Sequence, residues 1–290
     1  MKIRSLLMTA LIAIVAAAFT ACSTPAPSAS VAPSASAATA AASAEATPSS
    51  ALTAAGQNLL QKIQADGVIR FGTEGTYAPF TFHDKDGKLT GFDVEIATEV
   101  ANRLGVKVEF IETAWDGIFA GLDAQRFDAI ANEVTIRADR LEKYDFSDPY
   151  IVSKAVLIVA QDNQTIKDFA DLKGKKSAQT LTSSFGKLAE SYGAVLEQVD
   201  GFNQSIDLLA SNRVDATIND SLSYLDFKKQ QPDAPIKVVA EEKTKDEQGL
   251  MFNKGNKELV DAVNKALADM KSDGTYLNIS QKWFGEDVSK

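Results

Sequence analysis

From Val68 to Phe284 the chain alternates short β-rich runs with stretches of helical period, in two successive sets. This alternation constrains the fold more than any single motif does, because strand–helix–strand units close into mostly parallel sheets covered by helices. In the first set, 68–73 and 106–111 read as strands. Residues 92–104 place Val94, Ile96, Ala97, Val100, Ala101 and Leu104 on one helical face, and Gly105 stops the helix. Residues 80–82 and 88–90 flank Asp84-Lys85-Asp86-Gly87, a hairpin signal, and a helix at 115–124 leads to a strand at 128–131. The second set begins with a strand at 156–159 and runs through strand 177–181, helix 184–192, strand 195–199 and helix 202–210. Strand 215–219, helix 221–230 and strand 236–240 follow. Residues 249–253 read as a strand returning to the first set, and two amphipathic helices close the chain.

Two helix-to-strand turns repeat each other, Gln125-Arg126-Phe127-Asp128-Ala129-Ile130 and Asn212-Arg213-Val214-Asp215-Ala216-Thr217-Ile218. The reading is a duplicated α/β architecture of two lobes, 57–155 with 249–290 and 156–248, linked by two chain crossings. Ligands of open α/β sheets bind beyond the carboxyl ends of the strands, so loops from both lobes are expected to face one cleft.

The ends bound the rest. Lys2 and Arg4 precede an apolar run from Leu6 to Phe19, too short to span a bilayer comfortably. Phe19-Thr20-Ala21-Cys22 resembles a bacterial lipoprotein signal, with Phe19 in place of the usual leucine. It implies a signal peptide at 1–21 and lipidation of Cys22, although an ordinary secretory signal with an incidental cysteine fits the same stretch. Residues 22–56 are rich in Ala, Ser, Thr and Pro, with Glu45 their single charge. Such a segment lacks the apolar mass to offset its ordering entropy and is expected to be a disordered tether reaching roughly 30 Å. Cys22 is the one cysteine of the chain, so the folded part carries no thiol. A net charge of −9, without a basic cluster, argues against nucleic acid as a partner and against electrostatic adhesion to anionic lipid.

The candidate site residues cluster after predicted strands. Arg140 offers a rigid fork of donors suited to a carboxylate, and it follows the polar loop Asn132-Glu133-Val134-Thr135. A surface arginine on a first helical turn is the plain alternative. Asp220, at the end of a second-lobe strand, is either an acid for an ammonium group or an N-cap for the helix after it. Ser183 and Ser184 precede a helix and fit either a serine cap or an anion-binding helix start. Tyr77, Phe80, Trp115 and Phe185 are aromatic candidates for a pocket or for the core. Glu74 and Glu133 are acids in first-lobe loops, and Glu133 faces either an amine or solvent.

Together with Gly91-Phe92-Asp93 and Tyr144-Asp145-Phe146-Ser147-Asp148-Pro149-Tyr150, these motifs resemble bacterial solute-binding proteins of the polar-amino-acid family that serve ABC importers. The resemblance runs from about Val68 to Val288. It implies a two-lobe periplasmic-binding-protein-like fold of type II with a two-segment hinge. It also implies an amino-acid ligand, no cofactor, a permease with its cytoplasmic ATPase as partner, and a monomer. In that family the arginine closing a Thr-Ile-Thr-x-x-Arg segment grips the ligand α-carboxylate. The match is Thr135, Ile136 and Arg140, with Arg137 replacing the second threonine, a residue that can cap a helix. Asp220 matches the family's partner for the α-amino group, and Tyr77 and Trp115 match positions that sandwich the ligand. Position 133 is usually neutral in the family. Gly72 to Phe80, Trp115-Asp116-Gly117 and the Ser177-to-Gly186 loop look closest to cystine- and cysteine-binding members, where Glu74 would meet a distal amine.

Two rivals share the fold class. One is an enzyme, dehydratase-like or wall-lytic, which would need a cleft acid of shifted pKa, with Glu133 the candidate. The other is a sensory receptor domain. His83, the sole histidine, reads as a solvated hairpin residue, and the sequence shows no Cys/His metal spacing.

Overall fold

The computed structural model describes residues 57–290. The expected signal peptide, the lipidation site Cys22 and the tether to residue 56 lie outside the described residues.

The first described element is a helix that the sequence reading did not place, Leu59–Asp66. Asn58 and Gln61 form a reciprocal capping box at its start, and Gly67 ends it in the left-handed conformation. The first sheet has the order Lys107–Glu112, Val68–Thr73, Ala129–Ile130, Met251–Asn253, Tyr144–Phe146. Its first three strands run parallel, and Met251–Asn253 runs antiparallel to both of its neighbours. That fourth strand is the returning segment expected at 249–253. Helices Phe92–Leu104, Lys257–Asp273 and Thr275–Phe284 pack together with this sheet. Their apolar faces build one core around Phe71, Phe92, Phe252, Val263 and Leu267.

The second half repeats the plan. Val195–Gln198 pairs parallel with Lys176–Gln179, and a parallel bridge from Ser177 to Ala216 joins that pair to Thr217–Asp220. Ala155–Ala160 then lies antiparallel to both Thr217–Asp220 and Ile236–Glu241. Each sheet therefore combines parallel strands on one side with an antiparallel strand on the other. The expectation of mostly parallel sheets holds for the strand–helix–strand units and not for the strands that come from the crossings. The two repeated turns match in detail. Gln125 and Asn212 share a positive φ of 56°. Asp128 Oδ2 accepts the Arg70 N–H at 2.8 Å, and Asp215 Oδ2 accepts the Lys176 N–H at 2.8 Å.

The chain passes between the halves through Ile151–Ser153 and Asp246–Gln248, which pair antiparallel. This two-segment connection also carries site loops. Thr135 bridges to Gln248, and Ile136 N–H donates to Glu247 O at 2.8 Å. No helix among the described residues is long and apolar enough to cross a membrane.

Candidate functional site

Between the two sheets lies a small cavity of about 50 Å³, walled from both lobes. Glu74, Tyr77, Trp115, Asn132, Glu133 and Thr135 line it from the first lobe, and Ser183, Ser184 and Phe185 from the second. Nine of the expected site residues thus meet in one place. Their elements explain why. Glu74 follows the carboxyl end of strand Val68–Thr73, and Asn132 to Thr135 follow Ala129–Ile130. Trp115 and Ser184 open helices.

Asn132 organises the first-lobe acids. Its Nδ2 donates to Glu74 Oε2 at 2.7 Å, and its Oδ1 accepts the Glu74 N–H at 2.7 Å. Burial pushes the Glu74 carboxyl up to about 7, with Asp116 adding to the rise and the Asn132 hydrogen bond opposing it. Glu133 does not face solvent. It is 4% exposed, and its backbone is left-handed at φ 50°. Its N–H donates to Asp93 Oδ2, and the Tyr150 hydroxyl donates to Asp93 Oδ1 at 2.8 Å. Burial first, then Asp220, Asp93 and Asp246, push the Glu133 carboxyl well above the usual carboxylate range.

The two expected clamps, Arg140 and Asp220, stand outside this lining. Arg140 is buried beneath Trp115 and Phe119, its guanidinium carbon 5.6 and 5.1 Å from their ring centres. Its Nη1 donates to Thr135 O at 2.9 Å and its Nη2 to Thr182 O, across the cleft, at 3.1 Å. Burial, helped by Arg137, draws its pKa down to about 9, which leaves it charged at neutral pH. Asp220 fulfils the capping alternative: Oδ1 accepts the Leu222 N–H at 2.8 Å. Its other oxygen accepts from Ser153 Oγ on the crossing strand. Burial raises it to about 6, against the hydrogen bonds from Ser153, Leu222 and Ser223. Ser183 is likewise a working N-cap, accepting the Gly186 N–H at 2.9 Å. Phe80 is fully buried in the first-lobe core and takes no part in the lining. Phe185 serves both the second-lobe core and the cavity wall.

Arg137, in the position where threonine would cap, leaves the short helix Ala138–Leu141 without a side-chain cap. Its guanidinium instead pairs with Asp139 and donates from Nη1 to Ser184 Oγ at 3.1 Å, in the other lobe. Asp139 in turn pairs with Lys187 of the second lobe. Gln179, Thr180, Gly201, Phe202, Ser205, Asn219 and Thr76 also line the cavity, and sequence reasoning had not named them. Gln179 and Asn219 sit at or near the carboxyl ends of second-lobe strands, which was the available signal.

Known proteins resemble this chain over most of its described length. L-cystine-binding protein TcyA of Bacillus subtilis (strain 168) is 52% identical over 234 residues, covering 80% of this chain and 87% of the relative. The L-cystine solute receptor of Neisseria gonorrhoeae, in its unliganded open conformation, is 48% identical, with a TM-score of 0.55 over 81% of this chain and all of that one (100%). An ancestral arginine-binding protein bound to arginine is 41% identical, with a TM-score of 0.71 over 75% of this chain and 98% of that chain. The chain superposes better on the arginine-bound structure than on the more similar open one, in keeping with the hydrogen bonds that cross its cleft. Residues 69–286 match the family model outright, and the chain belongs to the bacterial extracellular solute-binding proteins, family 3.

Proposed function

We propose that this chain is the substrate-binding component of an ABC amino-acid importer and that its ligand is L-cystine. The observation that carries the reading is the cavity itself. The first lobe gives it two acids at separate points, Glu74 and Glu133, aromatic rings line it from both lobes, and the Arg140 guanidinium lies buried behind Trp115, outside the lining. A ligand with two ammonium groups and an apolar middle suits that wall. The relatives from Bacillus subtilis and Neisseria gonorrhoeae, named for L-cystine, support the same ligand. The described residues carry no thiol, which protects a disulfide ligand from exchange.

In this reading the ligand settles on the first lobe, and the second, 156–248, closes over it. Closure is favoured to the extent that ligand contacts are stronger in the closed state. Arg140 takes the α-carboxylate: when the lobes part, its bond to Thr182 O is broken and Nη2 is released for the ligand. Asp220, with Ser183 and Ser184, completes the site from the second lobe. The chain binds and delivers and performs no reaction. It is a monomer held outside the cell membrane by a lipid on Cys22, and its partner is a permease with a cytoplasmic ATPase.

A thermal-shift screen against L-cystine and the proteinogenic amino acids tests this, since selective binding raises the melting temperature. L-Cystine should give the largest shift. A larger shift with arginine or glutamine would reassign the ligand, and no shift with any amino acid would overturn the function.

A further inference from the structure

Glu133 is an acid that the fold itself leaves unused. Its backbone is fixed from behind through Asp93 and Tyr150, so the side chain projects into the cavity. Its Oε1 is buried and has no hydrogen-bond partner among the described residues. Its Oε2 lies 3.3 Å from the Tyr77 hydroxyl. The charged groups around it are almost all acids. Asp220 faces it from the second lobe, Asp93 from helix Phe92–Leu104, Asp246 from the crossing strand, and Glu74 lines the same cavity. Arg140 is the cation that feels it, and Arg140 is already bonded to two carbonyls.

The Tyr77 hydroxyl has one hydrogen and lies 2.9 Å from Asn219 Oδ1 and 3.3 Å from Glu133 Oε2, while Ser223, also beside it, gives its own hydrogen to Ala78 O. Asn219 Oδ1 also accepts the Asp220 N–H at 2.8 Å, which fixes that atom as the amide oxygen, an acceptor. Tyr77 therefore donates to Asn219. A neutral Glu133 then donates to the Tyr77 oxygen, and every hydrogen in the chain has an acceptor. An ionised Glu133 would face a lone pair and the surrounding acids instead.

We propose that Glu133 is a proton-exchanging specificity residue: it carries a proton until ligand arrives, then receives the ligand's ammonium as a carboxylate and releases that proton to solvent. The O–H bond of the carboxyl breaks heterolytically, its proton passes to water or buffer, and the ammonium keeps its own hydrogens. Burial and the surrounding acids, which hold the carboxyl neutral, agree with this arrangement. The cleft then rejects ligands that bring no cationic N–H group to this point, because they leave Oε1 unpaired. This rests on the reading that the ligand binds in this cleft.

The test is calorimetry with L-cystine at pH 7, in buffers of different ionisation enthalpy, on the wild-type chain and on Glu133→Gln. Wild type should release about one proton per ligand more than the variant, and the variant should bind roughly tenfold or more weakly. Equal proton release by the two proteins would overturn the proposal. A second measurement needs no ligand: the carboxyl ¹³C resonance that disappears in Glu133→Gln should titrate above pH 6. Titration near the ordinary glutamate value would overturn the proposal even if L-cystine binds. Absence of L-cystine binding with a resonance titrating above pH 6 would instead count against the function and leave the proton on Glu133 established.

Discussion

The Tyr77 hydroxyl stands 2.9 Å from Asn219 Oδ1, joining a first-lobe loop to the end of a second-lobe strand. Other bonds cross the cleft in the same way. Ser223 Oγ donates to Ala78 O at 3.0 Å, and Asp116 accepts Thr182 N–H and Oγ1–H at 3.0 and 2.8 Å. The two halves thus meet through a set of hydrogen bonds, many of them near the cleft rim. Each contributes about 0.5–1.5 kcal/mol net, so closure is a balance that ligand contacts can tip.

Tyr77→Phe keeps the ring and removes the bridging hydroxyl. The expected cost is about 1 kcal/mol of closed-state stability, read as a roughly fivefold faster ligand dissociation with little change in association. Stopped-flow fluorescence of Trp115 reports both rates. An unchanged dissociation rate would mean that the bridge does not hold the cleft shut.

Arg137→Thr tests the rim contact that replaces a helix cap. Threonine restores a capping side chain to helix Ala138–Leu141 and loses the bond to Ser184. The chain should become slightly more stable by itself while its ligand affinity falls about two- to fivefold, since the contact is partly exposed. Thermal melting alongside titration separates the two effects. A fall in both quantities would show that Arg137 supports the first lobe alone.

The strongly periodic parts of the fold were legible in the sequence, and the short non-local parts were not. Helix Phe92–Leu104 announced itself by its buried face and by Gly105, and helix Ser221–Gln230 fell where expected. Helix Leu59–Asp66 is eight residues long with Ile63 its one buried residue, too short a stretch for its period to stand out, although the Asn58-x-x-Gln61 box was there to be read. The crossing strands Ile151–Ser153 and Asp246–Gln248 are three residues each and pair with segments remote in sequence, so neither pattern nor turn marks them. The direction of Ala155–Ala160 was hidden because a fully buried strand looks the same run either way. In the site, loop positions and the family resemblance singled out Glu74, Tyr77, Trp115 and Glu133, and all four line one cavity. They did not show that Arg140 and Asp220 would already be engaged, because those partners, Thr182 O and Ser153 Oγ, come from remote segments.

Stability should fall as pH rises through neutrality. Burial raises Asp93 to about 7, Glu74 to about 7 and Asp220 to about 6, all above their ordinary values. A group raised in the folded state contributes stability that is complete below its ordinary pKa and is lost as pH climbs through the folded value. The window therefore runs from about pH 4 to pH 7. The exposed carboxylates held low, Asp139 by Arg137 and Lys187 and Asp273 by hydrogen bonds from Thr275 and then Arg103, act in the opposite sense and only below about pH 4. The melting temperature without ligand should decline between pH 5 and pH 8, and Asp93→Asn should flatten the decline. A melting temperature that climbs over this range would contradict the burial of these acids.

Gly91→Ala tests the joint between the hairpin and helix Phe92–Leu104. Gly91 has φ 135°, and a Cβ there would sit 2.1 Å from Phe80 O and 2.8 Å from Thr81 N. Both neighbours are backbone, fixed by Phe92 N–H to Pro79 O and Asp93 N–H to Phe80 O, each 2.9 Å. Strain of this kind costs at least about 3 kcal/mol. Urea unfolding measures it, and a loss below about 1 kcal/mol would show that the joint yields.

Arg140→Ala and Arg140→Lys together test the carboxylate assignment. The guanidinium is buried, charged, and bonded to carbonyls of both lobes, so alanine leaves Thr135 O and Thr182 O short of donors and a ligand carboxylate without its cation. Truncating one partner of a buried charge pair costs ~2–5 kcal/mol, or roughly thirty- to several-thousandfold in affinity. Lysine keeps the charge and loses the fork, so it should recover only part of the affinity. The stability of the protein without ligand should change far less, because the packing of Trp115 against Phe119 survives and the lobes are free to part. Isothermal titration of both variants with L-cystine, beside their urea unfolding, distinguishes a ligand contact from a structural strut. Equal losses of affinity and stability would make Arg140 a strut and move the carboxylate elsewhere in the cleft.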